Sequence, residues 1–223
     1  NLYLSNFQNG QMRKNGLFIT FEGIDGCGKT TQLNLLHDFL TSKGYEVVLT
    51  REPGGNHQLG QQIRNILLHA KCEVNSKAEM FLFLADRAQH IGKFVLPSLK
   101  EGKIVLCDRH TDSTLAYQGY GRGQSLDEII CLNNIATNNI KPDLTLLFDV
   151  DIETSNTRVG KEKDRMESAG SLFLEKVRLG YLTIAKNNPE RVKVINATKS
   201  IEEVFENTKK YAEDVLKKLE ENA

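Results

Sequence analysis

The sequence carries no excess of either charge: 29 Lys+Arg stand against 29 Asp+Glu in 223 residues. Proteins that hold polyanions over a broad surface are generally basic, so general nucleic-acid binding is disfavoured. Any anionic ligand must be held by locally focused charge. Long apolar runs are also missing. None approaches the roughly 18 residues of a membrane-crossing helix, and no signal-peptide pattern opens the chain. No membrane partner is therefore expected, and the expected compartment is the cytoplasm. The four cysteines, Cys27, Cys72, Cys107 and Cys131, form no C-x-x-C pair and read as reduced thiols. Internal repeats and low-complexity segments are absent. The length suits one α/β domain with a substantial core. The opening residues are polar and without a period. We expect the native start at Met12, with residues 1–15 a disordered or appended extension and residues 16–223 a single domain.

What the chain does have is Gly23-Ile24-Asp25-Gly26-Cys27-Gly28-Lys29-Thr30, a full match to the phosphate-binding loop pattern. An apolar run over residues 17–21 precedes it and reads as a buried strand. Leu33, Leu36 and Leu40 follow at helical spacing, so the glycines fall between a strand and a helix start. Glycine lets the backbone wrap closely and turn its N–H groups inward, and the helix adds its positive dipole end. The cradle runs from Gly23 to Thr31, with Lys29 reaching the outer phosphates and Thr30 holding Mg²⁺. Cys27, beside the helix N-terminus, is either a thiol of lowered pKa or a small residue tolerated in the loop.

Further strands are expected over residues 45–50, 103–107, 144–150 and 191–196. Helices alternate with them, which predicts a doubly wound, five-stranded parallel sheet with helices on both faces. Arg51-Glu52-Pro53-Gly54-Gly55 reads as a tight loop at a strand's C-terminal edge, where open α/β sheets bind ligands. A helix over 58–69 carries Arg64 on its polar side. A longer helix over 77–99 has Met80, Phe81, Leu84, Ala88, Ile91 and Val95 as its expected buried stripe. On it, Phe83 and Arg87 are one turn apart and form a plausible seat for a planar base, the ring stacking and the guanidinium donating to a carbonyl. Asp108, at the end of the third strand, occupies the usual place of a Mg²⁺-associated acid, and Arg109 beside it can grip a phosphate. Residues 110–123, with small hydroxyls, Tyr117, Gln118 and flexible glycines, read as a polar ligand wall. Residues 151–170 are strongly charged and flanked by Gly160 and Gly170; they read as a mobile helical lid.

Taken together, Thr50 to Gly55, Phe83 to His90 and Asp108 to Gly119 resemble the signatures of the thymidylate kinases, and the similarity covers roughly residues 16–215. The resemblance implies a P-loop NTPase fold and transfer of the γ-phosphoryl group of ATP to dTMP, with Mg²⁺. It also implies roles. Phe83 stacks on thymine and Arg87 donates to its carbonyl. Ser113, Thr114 and Gln118 line the base edge and methyl side, while Tyr117 and Glu52 bear on the sugar. Glu52 also faces the phosphate region, where Arg64 and Arg109 hold the dTMP phosphate. Asp25 orients Mg²⁺-bound water or the acceptor phosphate, and residues 196–198 lie near adenine. Family members are usually homodimers. The phosphate loop lacks an arginine of its own, since Gly26 and Cys27 stand at the variable positions. This points to the bacterial-type subgroup, in which the lid supplies the basic groups. Arg158 is the first candidate for the transition-state clamp and Arg165 the second, with Lys161 and Lys163 nearby. Competing readings are a kinase for another nucleoside monophosphate, and a P-loop ATPase acting as a switch.

Overall fold

The computed structural model describes residues 7–8, 11–12, 16–159 and 170–221. Among the first fifteen residues, Phe7–Gln8 (β1) pairs antiparallel with Gln11–Met12 (β2), where the sequence suggested no regular structure. The main sheet is organised by Leu17–Glu22 (β3), which is buried at every position. A strand buried on both faces is the mark of a sheet's centre. Around it stand Val47–Arg51 (β4), Ile104–Asp108 (β5), Leu144–Asp149 (β6) and Val192–Asn196 (β7), all parallel, in the order β4-β5-β3-β6-β7.

Register places the chemistry. Phe21 and Arg51 both lie opposite Asp108, and Asp149 lies opposite Asn196. The polar residues Glu22, Arg51, Asp108, Asp149 and Asn196 thus gather at one edge, outside the carboxyl ends of the strands, where such sheets bind ligands.

Lys29–Ser42 (α1) buries Leu33, Leu36 and Leu40 on the sheet as its spacing required. Gln58–His69 (α2) matches its expected span. The helix expected over 77–99 is instead three pieces: Ser76–His90 (α3), a π-helical stretch Ile91–Val95, and Leu96–Lys100 (α4). The wider π turn falls just before Pro97 and relaxes the clash its ring would make with the preceding turn. The buried face of α3 also departs from the apolar stripe. Phe81 is 53% exposed and Ala88 is exposed, while Glu79, Asp86, Arg87 and His90 are buried. The face is polar because these groups are paired beneath the site, which residue hydrophobicity does not reveal.

Residues 110–123 are helical: Thr111–Thr114 (α5) runs into a π-helical Leu115–Gly121. Gly119 and Gly121 are close-approach residues, whereas Gly123 (φ 75°) has open space where a Cβ would stand. A Cβ on Gly121 would lie 2.7 Å from the Phe173 ring. Leu126–Thr137 (α6), Ile152–Arg158 (α7), Ser171–Asn187 (α8) and Ile201–Glu221 (α9) complete the layers. The core includes a stacked Phe21–Phe148 pair with centroids 5.7 Å apart. None of the described helices is long and apolar enough to cross a membrane.

Candidate active site

The phosphate loop links β3 to α1. Gly28 caps α1 in a left-handed conformation (φ 89°) and no side chain caps the helix, which leaves its first-turn N–H groups for an anion. Gly26 (φ 75°) packs where a Cβ would come 2.6 Å from the Ser155 carbonyl oxygen. The first part of the expected lid touches the loop: α7 rests on it, and Ser155 Oγ donates to the Asp25 carbonyl at 2.7 Å. Lys29 is buried, its Nζ donating to the carbonyls of Gly23 (3.0 Å) and Ile24 (3.1 Å). Burial pushes the Cys27 thiol pKa up, so it is the small loop residue and not an activated thiol. A cavity opens over Gly26 to Gln32 and extends to Arg158, Ala197, Lys199 and Ile201.

A second cavity is lined by Arg51, Glu52, Arg64, Phe83, Arg87, Arg109, Ser113, Thr114, Tyr117 and Gln118, among others. The structure thus brings together every residue assigned to the acceptor from sequence. Arg87, only 1% exposed, is its hub. Nε donates to Glu52 Oε2 (2.8 Å), Nη1 to Thr114 Oγ1 (2.8 Å) and Asn133 Oδ1 (2.7 Å), and Nη2 to the His110 carbonyl (2.9 Å). These bonds use four of the five N–H groups of a guanidinium. The fifth, on Nη2, has no partner among the described residues.

Several side chains do less, or other, than expected. Both Glu52 oxygens are taken, Oε2 by Arg87 and Oε1 by His90 Nδ1 (2.9 Å) and His110 Nδ1 (3.1 Å). Glu52 thus lines the pocket and at the same time anchors Arg87, His90 and His110 there. Burial opposes its ionisation, but His110 and Arg87 outweigh burial and hold its pKa well below the usual range. Ser113 Oγ donates to Glu22 Oε2 (2.6 Å), and Gln118 Nε2 is held by Glu79 Oε1 (2.9 Å). Arg64 Nη1 donates to the Pro53 carbonyl at 2.9 Å. Glu52, His90 and Cys107 lie close enough to suggest a metal site, but the carboxylate and both imidazole nitrogens are already hydrogen-bonded within the protein.

The two cavities meet at Asp25 and Asp108, which line both. Arg109 (φ 69°) reaches across this junction. Its Nη2 donates to Asp25 Oδ1 at 2.6 Å, and its guanidinium lies 5.1 Å from the centroid of the Tyr117 ring. Burial opposes ionisation of Asp25, yet Arg109 and Lys29 hold its pKa down to about 2. Asp108 Oδ1 is buried with no hydrogen-bond partner among the described residues. An orphaned carboxylate oxygen next to the Thr30 cavity suits a hard cation held by oxygen. Arg158 lines the donor cavity but its Nη1 is tied to the Ala197 carbonyl at 2.8 Å, on the side of the loop after β7, and not at the Asp25–Arg109 junction. Arg165, Lys161 and Lys163 lie outside the described residues. Glu22, Asn133, Tyr181 and Lys199 escaped the sequence reading, and His90 and His110 fell within quoted segments without a role of their own. Glu22 had a signal, a carboxylate ending an apolar strand just before the loop; Tyr181, on a helix's core face, had none.

A phosphate cradle and a second cavity floored by an aromatic ring and an arginine, meeting at two carboxylates, define a P-loop nucleotide kinase with separate donor and acceptor sites. Comparison with known proteins narrows the class. The family model described as Thymidylate kinase matches residues 21–208, and the chain belongs to that family. It is 46% identical over 198 residues to the thymidylate kinase of Desulfovibrio desulfuricans, covering 84% of this chain and 91% of that one. It is 47% identical over 205 residues to that of Pelotomaculum thermopropionicum, covering 90% and 94%. The crystal structure of thymidylate kinase from Ehrlichia chaffeensis is similar with a TM-score of 0.73 at 41% identity, over 89% of this chain and 98% of that one.

Proposed function

We propose that the chain transfers the γ-phosphoryl group of ATP to dTMP, giving ADP and dTDP. The observation that carries this reading is the meeting of the phosphate-loop cavity and the Phe83–Arg87 cavity at Asp25 and Asp108. Two anionic substrates must approach in line, and positive charge must stand where they meet. Phe83 stacks on the thymine, and the remaining Nη2–H of Arg87 donates to its carbonyl. Thr114 and Gln118 complete the base wall, and Tyr117 lies against the sugar. Arg64 and Arg109 hold the acceptor phosphate, with Asp25 fixing Arg109. Residues Gly23 to Thr31 cradle the ATP phosphates, and Lys29 stabilises charge on the moving group. Thr30 and Asp108 would hold Mg²⁺, which when bound neutralises charge between the ATP phosphates. The dTMP phosphate is already a competent nucleophile at neutral pH, so alignment replaces a general base. Ala197 and Lys199 border the adenine end of the donor cavity. The same reading has the enzyme working in the cytoplasm as a homodimer; the exposed Leu59, Ile66 and Phe81 on α2 and α3 support an apolar contact between copies.

The test is a coupled ADP-release assay with ATP and Mg²⁺, offering dTMP, dUMP, dCMP and UMP separately, with products confirmed by mass. Strong turnover with dTMP and weaker turnover with dUMP is expected, because a methyl group in an apolar pocket is worth only about 1–3 kcal/mol. A clear preference for another monophosphate would overturn the base-site assignment. ADP release indifferent to every monophosphate would leave an ATPase instead.

A further inference from the structure

Glu22 ends β3 directly before the phosphate loop, and its side chain is fully buried. Three donors converge on it. The His110 backbone N–H reaches Oε1 at 2.7 Å. The hydroxyls of Ser113 and Tyr181 reach Oε2 at 2.6 and 2.9 Å. The two hydroxyl oxygens are 2.8 Å apart, and Arg109 Nη1 faces both, at 3.4 Å from Ser113 Oγ and 3.2 Å from Tyr181 OH. A hydroxyl has one proton and two lone pairs. A carboxylate on one side of the pair and a guanidinium on the other favour one polarity: protons directed toward Glu22, straight or through the partner hydroxyl, and lone pairs left for Arg109.

We propose that Glu22 is a positioning residue for Arg109: its buried carboxylate turns the Ser113 and Tyr181 hydroxyls so that both accept from the guanidinium. Asp25 grips Nη2 of the same guanidinium, so Arg109 is held from two directions. One hold comes from the loop itself and the other from the strand beneath it. The planar group is thereby fixed in orientation at the junction of the two cavities. This inference rests on the reading above that Arg109 holds the acceptor phosphate.

Glu22→Gln tests the polarity, because it keeps the number and arrangement of heavy atoms. The His110 N–H obliges the amide oxygen to take the Oε1 place, so the amide NH₂ must face the hydroxyls. Their protons are then driven toward Arg109, donor against donor. Loss of a charge-assisted hydrogen bond at this strength is expected to raise KM for dTMP about tenfold or more, with KM for ATP within about twofold of the wild type. In a Ser113→Ala, Tyr181→Phe background there is nothing to turn, and adding Glu22→Gln is expected to change KM for dTMP by less than about threefold. A merely structural role would multiply the effects instead. Unchanged KM for dTMP in Glu22→Gln, an equal rise in KM for ATP, or multiplicative effects would each overturn the inference. If Glu22→Gln does not fold, the Ser113→Ala and Tyr181→Phe variants carry the test: each must raise KM for dTMP, and the double variant must show less than the product. Wild-type protein that fails to phosphorylate dTMP would overturn the functional reading; active wild type with an indifferent Glu22→Gln would overturn only this one.

Discussion

Arg87 Nε and Glu52 Oε2 lie 2.8 Å apart, each side chain only 2% exposed, in an ion pair that forms the floor of the acceptor cavity. The pair is sealed by His90 and His110 on the carboxylate and by Thr114 and Asn133 on the guanidinium. Buried pairs of this kind are weak evidence for stability, but breaking one leaves an uncompensated charge. Here the pair fixes the plane of the arginine that lines the cavity beside Phe83's helix turn.

Glu52→Gln is therefore expected to destabilise the protein by roughly 3–5 kcal/mol, as for other half-broken buried pairs. Surviving folded protein should show a raised KM for dTMP and little change in KM for ATP. Denaturant unfolding and steady-state kinetics check the two halves; a variant as stable as the wild type would show that the pair is not what holds the floor.

Arg158 distinguishes sequence from structure. The sequence reading makes it the transition-state clamp, so that Arg158→Ala would lower turnover far more than dTMP binding. Its bond to the Ala197 carbonyl instead predicts a rise in KM for ATP larger than the fall in kcat. Kinetics with ATP varied at saturating dTMP decide between them, and a collapse of kcat at unchanged KM would restore the clamp.

Removal of divalent cations by chelation should abolish turnover, and added Mg²⁺ should restore it. The orphaned Asp108 Oδ1 predicts that Asp108→Asn needs more Mg²⁺ for half-maximal rate. An unchanged Mg²⁺ requirement would remove Asp108 from the metal's surroundings.

Asp86 predicts a pH dependence of stability. Its Oδ1 accepts from Gly54 N at 3.2 Å, while Oδ2 has no partner among the described residues. Burial foremost, then the Glu52 charge, pushes its pKa from 3.8 up to about 6. A folded pKa above the unfolded one favours the protonated carboxyl. That contribution is complete below the unfolded pKa and is lost as pH rises through the folded one. Asp86→Asn keeps an acceptor for Gly54 and cannot ionise. Its Tm should therefore gain on the wild type as pH rises from about 4 to about 6.5, and the difference should level off above that. A Tm difference flat across that range would show that Asp86 does not titrate there.

Local pattern carried much of this protein. The apolar run before Gly23, the glycine spacing and Lys29-Thr30 determined the strand, the loop and the helix start, because each depends on neighbours in sequence. Phe83 and Arg87 were legible together because one helical turn separates them. The alternation of strands and helices determined a parallel sheet. What the chain order does not contain is the pairing of distant side chains. Only the tertiary structure decided that Glu52 serves Arg87 from beneath, that Ser113 and Tyr181 turn to Glu22, and that the face of α3 is buried while polar. Those contacts join residues 35 to 159 positions apart. They exist because the parallel register brings Glu22, Arg51 and Asp108 to one sheet edge, where burial makes every unpaired polar atom costly and so selects its partner.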